Sequence, residues 1–181
     1  MENFVKLINY FRSASTPINA VRPNVWNALD PNITDSERTF ILEQYKIYVE
    51  MADRISARRS LTNTFFLTLN TAVFAGIGIA LKEPTRFPSW LLIFPLLALV
   101  TQCGAWFFLV RSYRQLNTAK YTVVGVLEEK LPASPYWNAE WAALGEGKDV
   151  AKYWPLTHLE QWIPIIFALT YVAAYIAILA S

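Results

Sequence analysis

Residues Leu61–Leu81, LTNTFFLTLNTAVFAGIGIAL, run through 21 positions without a charge, and Ser89–Val110, SWLLIFPLLALVTQCGAWFFLV, repeats the feature after a seven-residue gap. A bilayer core about 30 Å thick is crossed by about 20 apolar residues in a helix. Only a helix satisfies its own backbone there within a single segment, so both runs are read as spans. A third uncharged stretch, Trp162–Ala180, is shorter and carries Pro164 near its start, a position where proline costs little. The fold class is therefore an all-α membrane protein with three transmembrane helices.

Composition agrees. Of the 181 residues, 54% are hydrophobic and 17% charged, and the apolar ones are gathered into blocks. A chain of this size leaves little room for a separate catalytic domain. A net charge of +2 without a dense Lys/Arg run excludes nucleic acid as a direct ligand. The single cysteine, Cys103, precludes an intrachain disulfide and a cysteine-based metal site, and no cofactor is implied.

Between the first two spans the connection 82–88 carries Lys82 and Arg86, whereas Arg54, Arg58, Arg59, Arg111, Arg114 and Lys120 crowd the opposite ends. The positive-inside rule then puts the N-terminus and the 111–161 segment in the cytoplasm and Ser181 on the far side. Trp90, Trp106, Trp154 and Trp162 fall where an aromatic belt would lie.

The helices outgrow the membrane. Thr34-Asp35-Ser36-Glu37 has the form of a capping box, and no proline or glycine follows until Gly76, which predicts one helix over 34–81. The second span continues from 89 to 131, with Gly125 as its weak point, and stops before Pro132. These two helices form a long antiparallel hairpin whose stalk extends into the cytoplasm. Its core stripes are Ile41, Tyr45, Tyr48, Ala52 and Ile55 on one leg, and Tyr113, Leu116, Lys120, Val124, Leu127 and Leu131 on the other. The remaining parts are a cytoplasmic segment 1–33, an aromatic loop 132–161 and the third span 162–181. Phe4, Val5, Ile8 and Phe11 make the N-terminal segment a short amphipathic helix, too interrupted by charge for a signal peptide. The loop is too aromatic for a linker and is expected to fold back on the stalk or on a neighbouring subunit.

Chemistry-bearing residues are sparse. Asn63, Thr64, Thr68, Asn70 and Thr71 are among the polar groups of the first span, and Gln102 stands in the second. An unpaired amide in hydrocarbon is costly, so this set is either a seam between helices or the lining of an aqueous path. No Asp, Glu, Lys, Arg or His lies near the centre of a span, so the mark of a proton relay or voltage sensor is missing. GxSxG, P-loop and HExxH motifs are absent, and the expectation is that the chain is not an enzyme. His158, the lone histidine, and Glu160 stand at the entrance to the third span as an interface or switch pair. Glu140 and Glu146 are most simply solvated or salt-bridged.

Four strings, EQYKIYVEMADRISARRSLTNTFFLTLNTA (43–72), RSYRQLNTAKYTVVGVLEEKLP (111–132), EWAALGEGK (140–148) and YWPLTHLEQWIP (153–164), resemble the RipA family of small octameric bacterial membrane proteins. The resemblance implies the bacterial inner membrane, a ring-like homo-octamer and a part in stress adaptation without a known enzymatic activity. A more distant likeness is to small pore-forming membrane proteins of RNA-targeting CRISPR systems. There an Arg-x4-His motif is expected, and Tyr153 stands here in place of the arginine.

Two functions follow as expectations. One is a homo-oligomer, octameric by the resemblance, acting in lipid as a pore, channel or scaffold. The other is a non-conducting protein that recruits a cytoplasmic protein partner through its stalk and aromatic loop.

Overall fold

The computed structural model describes residues 17–27, 33–80, 88–147, 152 and 156–180. The amphipathic helix expected over Phe4–Phe11, the turn 82–87 and the positions of Tyr153 and Trp154 lie outside the described residues. The described chain is helical, without strands: α1 (Ile18–Val25), α2 (Asp35–Ala80), α3 (Ile93–Glu128, entered through a 3-10 turn Ser89–Leu92) and α4 (Leu156–Ala180). Short helical turns at Pro135–Glu140, Trp141–Ala143 and Gly145–Gly147 lie between α3 and α4.

Helix α2 begins where the capping box places it. Thr34 N–H and Oγ1 each lie 2.8 Å from Glu37 Oε2, while Glu37 N–H donates to Thr34 Oγ1 at 3.3 Å. Its 46 residues make a helix of about 69 Å, well beyond what a bilayer requires. Helices α2, α3 and α4 are each long and apolar enough to cross a membrane.

Two helix boundaries depart from expectation. Helix α3 ends at Glu128, three residues early, in tight i+3 turns closed by Lys130 N–H to Leu127 O (3.1 Å) and Leu131 N–H to Glu128 O (3.0 Å). Pro132 forces the residue before it out of the helical region, which favours this early stop. Helix α4 starts at Leu156, six residues before the expected entry, so the fully buried Pro164 is internal to the helix rather than in its first turn. Transmembrane helices tolerate such prolines when neighbours satisfy the freed carbonyl.

The chain divides into two compact units. The first comprises residues up to Ala57 and Tyr113–Trp154. In it α2 and α3 run antiparallel, joined by Asn117 Nδ2 to Ser56 Oγ (3.1 Å) and by the Lys120 ammonium over the Tyr48 ring (5.0 Å). Ile41, Ala52, Ile55, Val124 and Leu127 are buried between them. Leu116, expected in that stripe, is 49% exposed. A straight helix advances 3.6 residues per turn rather than 3.5, and the drift brings Asn117 to the partner instead. Helix α1 is held by Arg22, whose guanidinium donates two bonds to the Glu129 carboxylate at 2.8 and 2.6 Å.

The second unit comprises Arg58–Ser112 and residues from Pro155 on. Its core is an aromatic column in which Phe66 stacks on Trp106 (5.6 Å between centroids, 10° between planes), Trp106 meets Phe167 (6.2 Å) and Phe167 meets Tyr171 (6.2 Å). Trp106 is therefore a fully buried core residue, not a member of an aromatic belt, whereas Trp90 and Trp162 are exposed.

Candidate functional site

In the second unit the amides of the first span turn toward the other two helices. Asn70 is fully buried. Its Nδ2 donates to Phe66 O at 2.8 Å, and its Oδ1 lies 3.1 Å from the Tyr171 hydroxyl of α4 and 3.6 Å from Cys103 Sγ of α3. Nearly two turns earlier on α2, Asn63 Oδ1 accepts the Trp106 indole N–H at 2.9 Å. The seven-residue spacing thus sets both amides on the face that packs within the protomer, where each indole, hydroxyl and thiol finds the acceptor that hydrocarbon would deny it. Asn63 Nδ2 and Gln102 Nε2 are buried without a hydrogen-bond partner.

The threonines take the other side. Thr64, Thr68 and Thr71, spaced four and three apart, share one exposed face of α2 with Ala75 and Gly78. Thr64 Oγ1 donates to Ser60 O at 3.0 Å. A Cβ added at Gly76 or Gly78 would meet nothing within 4 Å, so packing inside the protomer does not require either glycine. The exposed face of α4, with Ile166, Leu169, Val172 and Ile176, is by contrast mainly aliphatic, its threonine, Thr170, donating to Ile166 O at 2.8 Å.

Glu160 lies in the first turns of α4, its Oε2 3.2 Å from Arg59 Nε of α2, with both side chains largely buried and without hydrogen-bond alignment. His158 belongs to the same helix, but its side chain lies outside the described residues. Among the described residues no cluster of His, Cys, Asp and Glu could hold a metal ion.

The first unit holds a group that sequence reasoning missed. Glu128, at the end of α3, is 2% exposed, and its carboxylate accepts four bonds: from Ser134 Oγ (2.6 Å), Trp137 N–H (2.9 Å), Tyr136 N–H (3.0 Å) and the Tyr45 hydroxyl of α2 (3.1 Å). The two amides are the free N–H groups that open the turn Pro135–Glu140, whose own N-cap, Ser134, makes no side-chain cap. Glu128 caps that turn from another element and ties the loop to the stalk. Tyr136 lies between Tyr45 and Tyr121 (6.4 Å to each), and Trp137 covers Gly125, where an added Cβ would fall 2.6 Å from the indole Cδ2. The expected weak point of α3 is the seat of a tryptophan. The signal lay in the register: Glu128 directly follows the buried Val124 and Leu127, and a carboxylate on a core stripe must have donors.

A cleft of about 290 Å³ between α1 and the stalk is lined by Val21, Asn24, Val25, Gln44, Tyr48, Val123 and Leu127. It contains no acid–base pair or nucleophile. The family model of the octameric membrane protein family (8xMP) matches residues 42–180. No curated protein and no solved structure matches the chain.

Proposed function

Because the chain belongs to the octameric membrane protein family, a family of self-associating membrane proteins, we propose that it forms a homo-octameric ring whose α2 threonine face borders a central aqueous path. The observation that carries this reading is the division of α2: Asn63 and Asn70 are spent inside the protomer, leaving Thr64, Thr68 and Thr71 as an exposed polar face made of small residues. Small side chains leave room for a path, and hydroxyls offer it hydrogen bonds. In this reading the ring lies in a bacterial inner membrane, with the stalk and N-terminus cytoplasmic and the C-terminus periplasmic, in keeping with the basic residues around the spans. It has no catalytic role, and the likeness of its strings to the RipA proteins ties it to stress adaptation.

The experiment is ion flux into liposomes carrying the purified protein. Wild type should conduct, and Thr68→Leu should reduce the flux several-fold while the native mass stays octameric. Absence of flux under every condition would favour the second reading, a non-conducting scaffold that recruits a cytoplasmic partner. That reading is supported by the 49% exposed Trp141, presented on the loop that Glu128 pins down.

A further inference from the structure

Arg59, Asn63, Phe66 and Asn70 recur at four-three-four spacing on α2, and Glu160, Pro164, Phe167 and Tyr171 recur at the same spacing on α4. Arg59 meets Glu160 and Asn70 meets Tyr171, so both contacts join residues 101 apart and the two helices run parallel in register. Asn63 therefore stands level with Pro164. Trp106 of α3 closes this level, bonding Asn63 and meeting Phe66 and Phe167 one layer beyond.

Arg59 Nε, Asn63 Nδ2 and Glu160 Oε2 are each buried without a hydrogen-bond partner. Pro164 adds a fourth group. It has no N–H to return to the carbonyl four residues earlier, so Glu160 O loses its helical donor. We infer that one water molecule is bound here between α2 and α4, accepting hydrogen bonds from Arg59 Nε and Asn63 Nδ2 and donating to Glu160 Oε2 and to the Glu160 carbonyl.

The mixture of donors and acceptors selects the occupant. Two N–H groups and two oxygens match the two lone pairs and two protons of water, and a buried water ordinarily makes about three such bonds. An anion would lie against the Glu160 carboxylate, and a cation against the Arg59 guanidinium. Arg59 and Glu160 do not satisfy one another, because at 3.2 Å the single Nε–H, fixed in the guanidinium plane, is not aligned with the oxygen. Side-chain size leaves the space: Asn63 with Pro164 is the smallest of the four pairs, next to a layer filled by Phe66, Trp106 and Phe167. The site lies within one protomer, whatever the number of subunits. Its water supplies the donor that proline removes, and it fastens the entry of the third span to the first.

The test is X-ray radiolysis of the full-length protein in detergent, which makes hydroxyl radicals from bound as well as bulk water, with the oxidation of each residue read by mass spectrometry. Tyrosine reacts with the radical faster than proline, so in a dry bundle the buried Tyr171 would be oxidised at least as fast as the buried Pro164. The expected result is the reverse, by several-fold, and a scavenger of bulk radicals should suppress oxidation of the exposed Trp141 while sparing Pro164. Pro164→Leu returns the N–H and fills the level, and at unchanged native mass it should lower the oxidation of Trp106 several-fold. Pro164 oxidised no faster than Tyr171, or losing its label in proportion to Trp141 under the scavenger, overturns the bound water. Undiminished oxidation of Trp106 in a folded Pro164→Leu variant does the same, and the wild-type comparison decides alone if that variant does not fold.

Discussion

The Tyr171 hydroxyl stands 3.1 Å from both the backbone carbonyl and the side-chain oxygen of Asn70, and both residues are buried. The contact joins the first and third spans inside one protomer, and Cys103 of the second approaches the same side-chain oxygen. Asn70 is thus the point at which three helices meet, and its amide is unavailable to any path outside the protomer.

Asn70→Leu should lower the unfolding free energy in detergent by about 1–2 kcal/mol, the range for hydrogen bonds between transmembrane helices. Tyr171→Phe should cost less. The double variant should fall short of the sum, because the second substitution removes a group already left unpaired by the first. Strict additivity in thermal unfolding would show that the two side chains do not bond.

Gly125→Ala should release the aromatic loop. The new methyl would sit within van der Waals overlap of the Trp137 ring, and overpacking of this kind costs about 1–3 kcal/mol. Limited proteolysis should cut the 132–147 segment faster in Gly125→Ala than in wild type. In a Trp137→Ala background the same substitution at Gly125 should no longer change the rate, and a difference that persists would mean that the methyl acts elsewhere.

Glu128→Leu removes the acceptor of two backbone amides and two hydroxyls and should cost about 1–3 kcal/mol. Glu128→Gln is expected to restore little, since its amide nitrogen would face donors. Both variants should accelerate the same proteolytic cut, and an unaltered rate would exclude Glu128 as the tether.

These three sites were unequally legible in the sequence. The spans and the capping box of Thr34 with Glu37 were readable because uncharged runs and local i+3 pairs are properties of one segment. The Asn63–Asn70 spacing gave the face, but whether that face met lipid, water or helix depended on Trp106 and Tyr171, which lie 43 and 101 residues away from their partners. Trp106 read as a belt residue because its position near a span end says nothing about the direction in which its ring points. Glu128 and Gly125 were harder still. A carboxylate near a helix end is ordinarily solvated, and a helical glycine ordinarily a flaw, so their roles emerge only once residues 134–137 fold back on them.

Burial first, and then the hydrogen bond to Glu128, hold the Tyr45 phenol well above its ordinary value near 10. A folded-state value raised above the unfolded one means that the unfolded chain releases this proton first, so the contribution is complete below about pH 10 and is lost as the pH climbs beyond it. Alkaline unfolding of the wild type should therefore steepen above pH 10, and Tyr45→Phe should flatten the curve there. Equal slopes would contradict the burial of the hydroxyl.

The face of α2 that carries Thr64, Thr68 and Thr71 decides the functional reading, and its exposure to water can be measured directly. In a Cys103→Ser background, Thr68→Cys and, on the mainly aliphatic face of α4, Leu169→Cys would each be treated in the octamer with a charged, membrane-impermeant thiosulfonate. A central aqueous path requires the cysteine at 68 to react at least tenfold faster than the one at 169; equal protection of both would contradict it.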